Sequence, residues 1–85
     1  MPKDTKINID IGSAVRRKMG EQGTTIAWLA QQVEFDRSNL RKHLHNKHIY
    51  PELLLKISIA LKTDFFVHYS HKFNHVVENN PENNM

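Results

Sequence analysis

Arg37, Ser38, Asn39, Arg41 and Lys42 crowd into one short segment, DRSNLRKHLHNK, interrupted only by Leu40. Their chemistry is that of outward hydrogen bonding. A guanidinium can give two parallel N–H bonds to O6 and N7 of guanine, a carboxamide can pair with N6 and N7 of adenine, and an ammonium is a point charge suited to phosphate. Such groups are costly to bury without partners, so they need an apolar neighbour to fasten the backbone beneath them. Leu40 and Leu44, one helical turn apart, supply that anchor.

The segment just before it explains how such a helix would be held. In TTIAWLAQQVEF, Ile26, Leu29, Ala30 and Val33 fall at i, i+3, i+4 and i+7, a single apolar stripe on a helix from about Thr25 to Val33. Thr24 and Thr25 stand where a hydroxyl can accept from the free N–H groups of the first turn. The pattern resets at Phe35, and Asp36 can cap a second helix running to about His45. Ala30 lies where two helix axes must cross closely, and a side chain larger than methyl would force them apart. Two short amphipathic helices around so tight a break read as a helix-turn-helix, a device that docks on DNA.

Length and composition agree with a small intracellular domain. A chain of 85 residues can bury roughly 60 to 65% of the surface its unfolded form exposes, enough for one core. Cysteine is absent, which excludes a disulfide framework or a thiolate metal site and suits a reducing compartment, with the cytoplasm expected. No apolar run approaches the roughly 20 residues that span a bilayer, and Met1 to Asp10 lacks the apolar centre of a signal peptide. The net charge of +3 and pI near 9.4 are mild, but their distribution is not. Between Asp36 and His48 there are four cations, Arg37, Arg41, Lys42 and Lys47, against one acid, with three histidines alongside. Arg16, Arg17 and Lys18 add a second cluster, while the sign reverses at Glu78 and Glu82. A polyanion would be drawn to one side of such a molecule.

The remainder of the chain reads as helix. Ile11, Val15 and Met19 require a first helix over about Ile9 to Glu21, ended by Gly20 and Gly23. Asn46 is suited to a left-handed stop after the third helix. Pro51 opens a fourth, carrying Leu53, Leu54, Ile57, Ala60 and Leu61, and Thr63 or Asp64 caps a fifth. Along that fifth helix Phe66, Tyr69, Phe73 and Val76 repeat at coiled-coil spacing. The expectation is an all-α fold in which residues 1–8 form a flexible arm, 9–78 the domain, and 79–85 a disordered tail.

Taken together, TTIAWLAQQVEF, DRSNLRKHLHNK and PELLLKISIALKTDFF resemble the Xre/Cro-like, or lambda repressor-like, family of phage and bacterial repressors. The likeness spans about Ile9 to Ser70. It implies a five-helix domain with the helix-turn-helix at helices two and three, the third helix entering the major groove. It also implies base contacts from Arg37, Ser38 and Asn39, with Arg41 and Lys42 one turn on. Thr24 and Thr25 would meet phosphate at a helix amino end, and His45 and Lys47 would hold the far side of the groove. The chain departs from the family in three places. Glu34 replaces the glycine of the turn, where a left-handed backbone costs on the order of 1 kcal/mol. Ile26 replaces a phosphate-touching glutamine, and His43 stands where an aliphatic side chain faces the core.

Other chemistries are weaker. His68, His71 and His75 lie on one side of the fifth helix at spacing that could share a metal, yet neither cysteine nor paired carboxylates complete a tetrahedral set, so they read as a solvated face with no metal and no cofactor. Ser38 and Ser58 lack a positioned acid and an oxyanion site, which argues against an enzyme. Trp28 lies off the stripe and is expected to be partly buried. Phe73, Val76 and Val77 extend past the family boundary and are expected to meet a second copy, giving a homodimer on a palindromic site. The leading expectation is thus a sequence-specific transcriptional regulator of double-stranded DNA. Its rival is an antitoxin-like protein that binds a toxin-like partner and its own promoter.

Overall fold

A computed structural model describes residues 8–78 of the chain. The expected arm and tail fall outside the described residues, save for the exposed Asn8. The described residues form five helices and no strand: α1 (Ile11–Gln22), α2 (Ile26–Val33), α3 (Arg37–Leu44), α4 (Pro51–Leu61) and α5 (Val67–Glu78). No helix among them is long and apolar enough to cross a membrane.

Each helix begins where a side chain satisfies the free N–H groups of its first turn or where proline removes one. Asp10 accepts from Ser13 N at 3.0 Å, Thr25 from Trp28 N at 3.0 Å, and Asp36 from Asn39 N at 3.1 Å. Pro51 opens α4 without a side-chain cap. The expected starts at Ile9, Thr25 and Asp36 thus lie one or two residues early, because the capping residues stand outside their helices. At α5 the carboxylate of Asp64 accepts from Phe66 N at 2.9 Å and holds a turn that precedes the helix. The Thr63 hydroxyl instead donates to Leu61 O at 3.0 Å, so of the two expected caps only Asp64 turns toward α5.

The stops are less conventional. Gly23 ends α1 at φ 70°, where glycine avoids the Cβ penalty of left-handed backbone, and Gly20 lies within the helix. Glu34 and Lys62 end α2 and α4 at φ 57° and φ 53°, without that relief. The α2–α3 turn therefore keeps the left-handed geometry despite its glutamate. Glu34→Gly should stabilise the fold by about 0.5 to 1 kcal/mol, the released strain less the greater freedom of unfolded glycine. A rise in the urea midpoint at unchanged slope is the expected reading, and a fall would contradict this account of the turn.

Asn46, expected to be the left-handed stop of α3, is not: positive φ among non-glycine residues is confined to Glu34 and Lys62 among the described residues. The helix closes otherwise. His45 N bonds Lys42 O at 3.2 Å, Asn46 N bonds His43 O at 3.1 Å, and His45 Nδ1 lies 3.3 Å from Arg41 O. The last carbonyl, Leu44 O, accepts from Arg16 Nε of α1 at 2.9 Å. With Lys42 O, His43 O and Leu44 O all accepting, the end of α3 is closed without a left-handed residue.

The core gathers the expected stripes: Ile11, Val15 and Met19 of α1, Leu29, Ala30 and Val33 of α2, Leu40 and Leu44 of α3, and Leu53, Leu54, Ile57 and Leu61 of α4. Phe65 and Ile49, both outside helices, are also buried. α5 contributes no fully buried residue; Tyr69 and the preceding Phe66 pack on the core from outside. They form one wall of an apolar groove whose other side is Ile49, Tyr50 and Leu54.

Candidate nucleic-acid interface

α3 sits on the core by two points. Leu40 and Leu44 are fully buried, whereas Arg37, Ser38, Asn39, Arg41 and Lys42 are all exposed. Because residues three and four apart share a face of a helix, Ser38 and Lys42 stand directly opposite the leucine stripe. Asn39 lies on one flank of that pair, and Arg37 with Arg41 on the other. The five side chains proposed from sequence thus cover the solvent side of α3 as a broad strip, on which Arg37, three residues before Leu40 and seven before Leu44, borders the leucines.

His43, placed by sequence at a core-facing slot, is half-buried at the edge of this strip. Its ring meets Phe35 edge-on at 5.6 Å between centroids and Tyr50 edge-on at 5.7 Å. Edge-to-face stacking gives an imidazole a satisfactory place beside an apolar core, since a ring edge carries positive potential and a ring face negative. The three rings fasten α3 to the turn before it and the loop after it. The departure at His43 is thus accommodated by aromatic packing rather than by distortion of α3.

Electrostatically the strip is unbalanced. Asp36 is the acid of its segment, and its carboxylate is engaged as the cap of α3. Among the described residues, none of Arg37, Arg41, Lys42 and Lys47 has a carboxylate within 4.0 Å; the ion pair present is Lys18 with Glu21 at 3.1 Å on α1. Arg37 and Arg41, like charges at i and i+4, cost the isolated helix a few tenths of a kcal/mol that nothing within the fold offsets. No family model, curated protein or solved structure matches the chain. What the strip can do rests on its own groups: donors and positive charge without internal partners, on a rigid helix.

The flanking positions divide. Thr25 is exposed, and its hydroxyl oxygen accepts from Trp28 N, which leaves its O–H donor, together with the backbone N–H groups at the start of α2, available to an anion. Thr24 is half-buried, with its hydroxyl 3.5 Å from Met19 O and directed into the fold, away from any phosphate role for its side chain. Lys47 is exposed, and its carbonyl accepts from Ile11 N at 2.9 Å, which fixes the loop that carries it. His45 is exposed, but its Nδ1 faces Arg41 O; with Nδ1 as donor, the ring offers phosphate an N–H from Nε2 only as imidazolium. Ile26 is partly buried against the core and takes no polar role.

Two residues at this site were missed by local pattern. Arg16 reaches across from α1 to the end of α3, and Gly12 is where α1 touches that end most closely. A methyl group on Gly12 would overlap the carbonyl oxygens of Leu44 and Asn46.

On α5 the exposures are mixed. Phe73 is 66% exposed, unusual for so large an apolar ring, while Val76 and Val77 are half-buried. Trp28, expected to be partly buried, is 37% exposed. His68 and His71 line a cleft with Asp10, Ser13 and Arg17. No cluster of three or more potential metal ligands occurs among the described residues.

Proposed function

We propose that this protein is a sequence-specific regulator of transcription that binds double-stranded DNA through a helix-turn-helix formed by α2 and α3, as in lambda repressor-like domains. The observation that carries this reading is the strip on α3. Five polar or cationic side chains are exposed over two fully buried leucines, and the cations lack carboxylate partners among the described residues. A helix of this width fits the major groove, and its guanidinium, hydroxyl and amide groups match base-edge acceptors and donors. Arg37, Ser38, Asn39, Arg41 and Lys42 read bases. Lys47 and the amino end of α2 meet phosphates and set register. The exposed Phe73 supports pairing of two copies through α5 with Val76 and Val77, which would present two strips to half-sites about one DNA turn apart.

Selection of bound duplexes from a random library, followed by titration of variants, tests the reading. Arg37→Ala should weaken the selected site by about 1 to 3 kcal/mol and relax preference at one base pair, whereas Lys47→Ala should weaken matched and scrambled duplexes alike. Equal effects of both variants on both duplexes would reject the division of roles. Recovery of no preferred sequence would reject specific recognition.

A second reading, an antitoxin-like protein that holds a protein partner, is favoured by a different observation. Leu55 and Ile59, one turn apart on α4, are 52% and 68% exposed. Co-purification of a partner that Leu55→Glu releases, without change in DNA affinity, would separate this role from regulation alone.

A further inference from the structure

Resting on the DNA-binding reading, we infer that Arg16 is a phosphate-binding residue of the interface, held in its binding orientation by the end of the recognition helix itself. It stands on α1, remote in sequence from the helix-turn-helix, and no local pattern marks it out among its neighbours Arg17 and Lys18.

The geometry is specific. A guanidinium is planar and carries five N–H donors in a fixed fork. The Nε–H of Arg16 is committed to Leu44 O at 2.9 Å. The four N–H groups on its two Nη atoms have no protein acceptor among the described residues, and the side chain is exposed. One donor is therefore anchored, which fixes the plane, and the remaining fork is open to solvent. An arginine arranged in this way loses less rotamer freedom on meeting a phosphate than a lysine on a free stem.

Its surroundings suit an anion. Arg16 lies at the junction where Lys47 O accepts from Ile11 N, so the loop carrying Lys47 is fastened to the same stretch of α1. Its neighbours differ: Lys18 is paired with Glu21 at 3.1 Å, and Arg17 faces the cleft shared with Asp10, His68 and His71. Of the triplet, Arg16 alone is tied to α3. The negative end of the α3 dipole holds the guanidinium in place without neutralising it, because a carbonyl carries only a partial charge. Arg16 thus links the end of α3 to the DNA backbone.

The test is a salt series, from low to high KCl, with a labelled mixed-sequence duplex and the full chain. Wild type, Arg16→Gln and Arg16→Lys are compared, with the melting temperature of each recorded. Glutamine keeps an N–H donor for Leu44 O and removes the charge. The expected result for Arg16→Gln is about tenfold weaker binding and a slope of log affinity against log salt shallower by about 0.9 per bound protomer, with Arg16→Lys returning the slope toward wild type. Weaker binding at an unchanged slope would reduce Arg16 to a brace for α3 and overturn the inference while leaving the DNA-binding reading intact. Unchanged affinity would overturn it equally. Should Arg16→Gln fail to fold, Arg16→Met, which keeps the apolar stem and removes the charge, is read in its place: a slope shallower by about 0.9 supports the inference, and a wild-type slope overturns it. Absence of salt-dependent binding by wild type would instead dismiss the DNA-binding reading, and this inference with it.

Discussion

Gly12→Ala should destabilise the protein by about 3 kcal/mol or more, although alanine is the better helix former by roughly 1 kcal/mol. The added methyl meets backbone oxygens of Leu44 and Asn46, which cannot swing aside as a flexible side chain would. Relief requires α1 to withdraw from the end of α3. Withdrawal strains the Ile11 N to Lys47 O bond and the Arg16 Nε to Leu44 O bond, both 2.9 Å, each worth about 1 kcal/mol. Overpacking adds roughly 1 to 3 kcal/mol. A domain of this size has about 5 to 10 kcal/mol in total, so a loss of this order lowers the melting temperature by about 12 °C or more. Thermal and urea unfolding followed by circular dichroism measure it, and a cost below about 1 kcal/mol would mean that the α1–α3 contact is soft. As a contrast on the same helix, Gly20→Ala meets no atom within 4 Å and should be neutral or stabilising.

The second large effect concerns salt. If each protomer neutralises about three phosphates, affinity should fall about 40-fold between 50 and 200 mM salt for a single protomer on DNA, and about 2,000-fold for a pair bound together. Fluorescence anisotropy with a labelled duplex distinguishes the two regimes, because the exponent doubles when two copies bind as a unit. A slope near zero would remove the electrostatic basis of the proposed function. A slope of the single-protomer size on a palindromic site would remove the dimer formed through Phe73, Val76 and Val77.

Much of this architecture is legible in local pattern, and the parts that are not share a physical cause. The stripes Ile11–Val15–Met19, Leu29–Ala30–Val33 and Leu53–Leu54–Ile57–Leu61 are buried because helical spacing makes a face, and Thr25 and Asp36 cap because oxygen beside free N–H groups needs no distant partner. The exposure of Arg37, Ser38, Asn39, Arg41 and Lys42 follows from the burial of Leu40 among them and of Leu44 one turn on. What escaped is what depends on contacts across the fold. Asn46 has the composition of a left-handed stop, yet it bonds His43 O without positive φ, and the last carbonyl of α3, Leu44 O, is served by an arginine 28 residues away. Gly12 looks like an unfavourable helix residue until α3 is laid against it. Ile49 carries no periodicity because it lies in a loop, and His43 looks polar until Phe35 and Tyr50 are placed on either side.

The mooring of α3 to α1 also sets how much chain is needed to hold α3 in place. A peptide spanning only Thr24 to Lys47 would retain both of its caps and its leucines, but the final carbonyl of α3 would face water and the loop bearing Lys47 would swing free. The mount that holds α3 thus begins at Asp10, and any graft of α3 onto another scaffold has to carry Gly12 and Arg16 along.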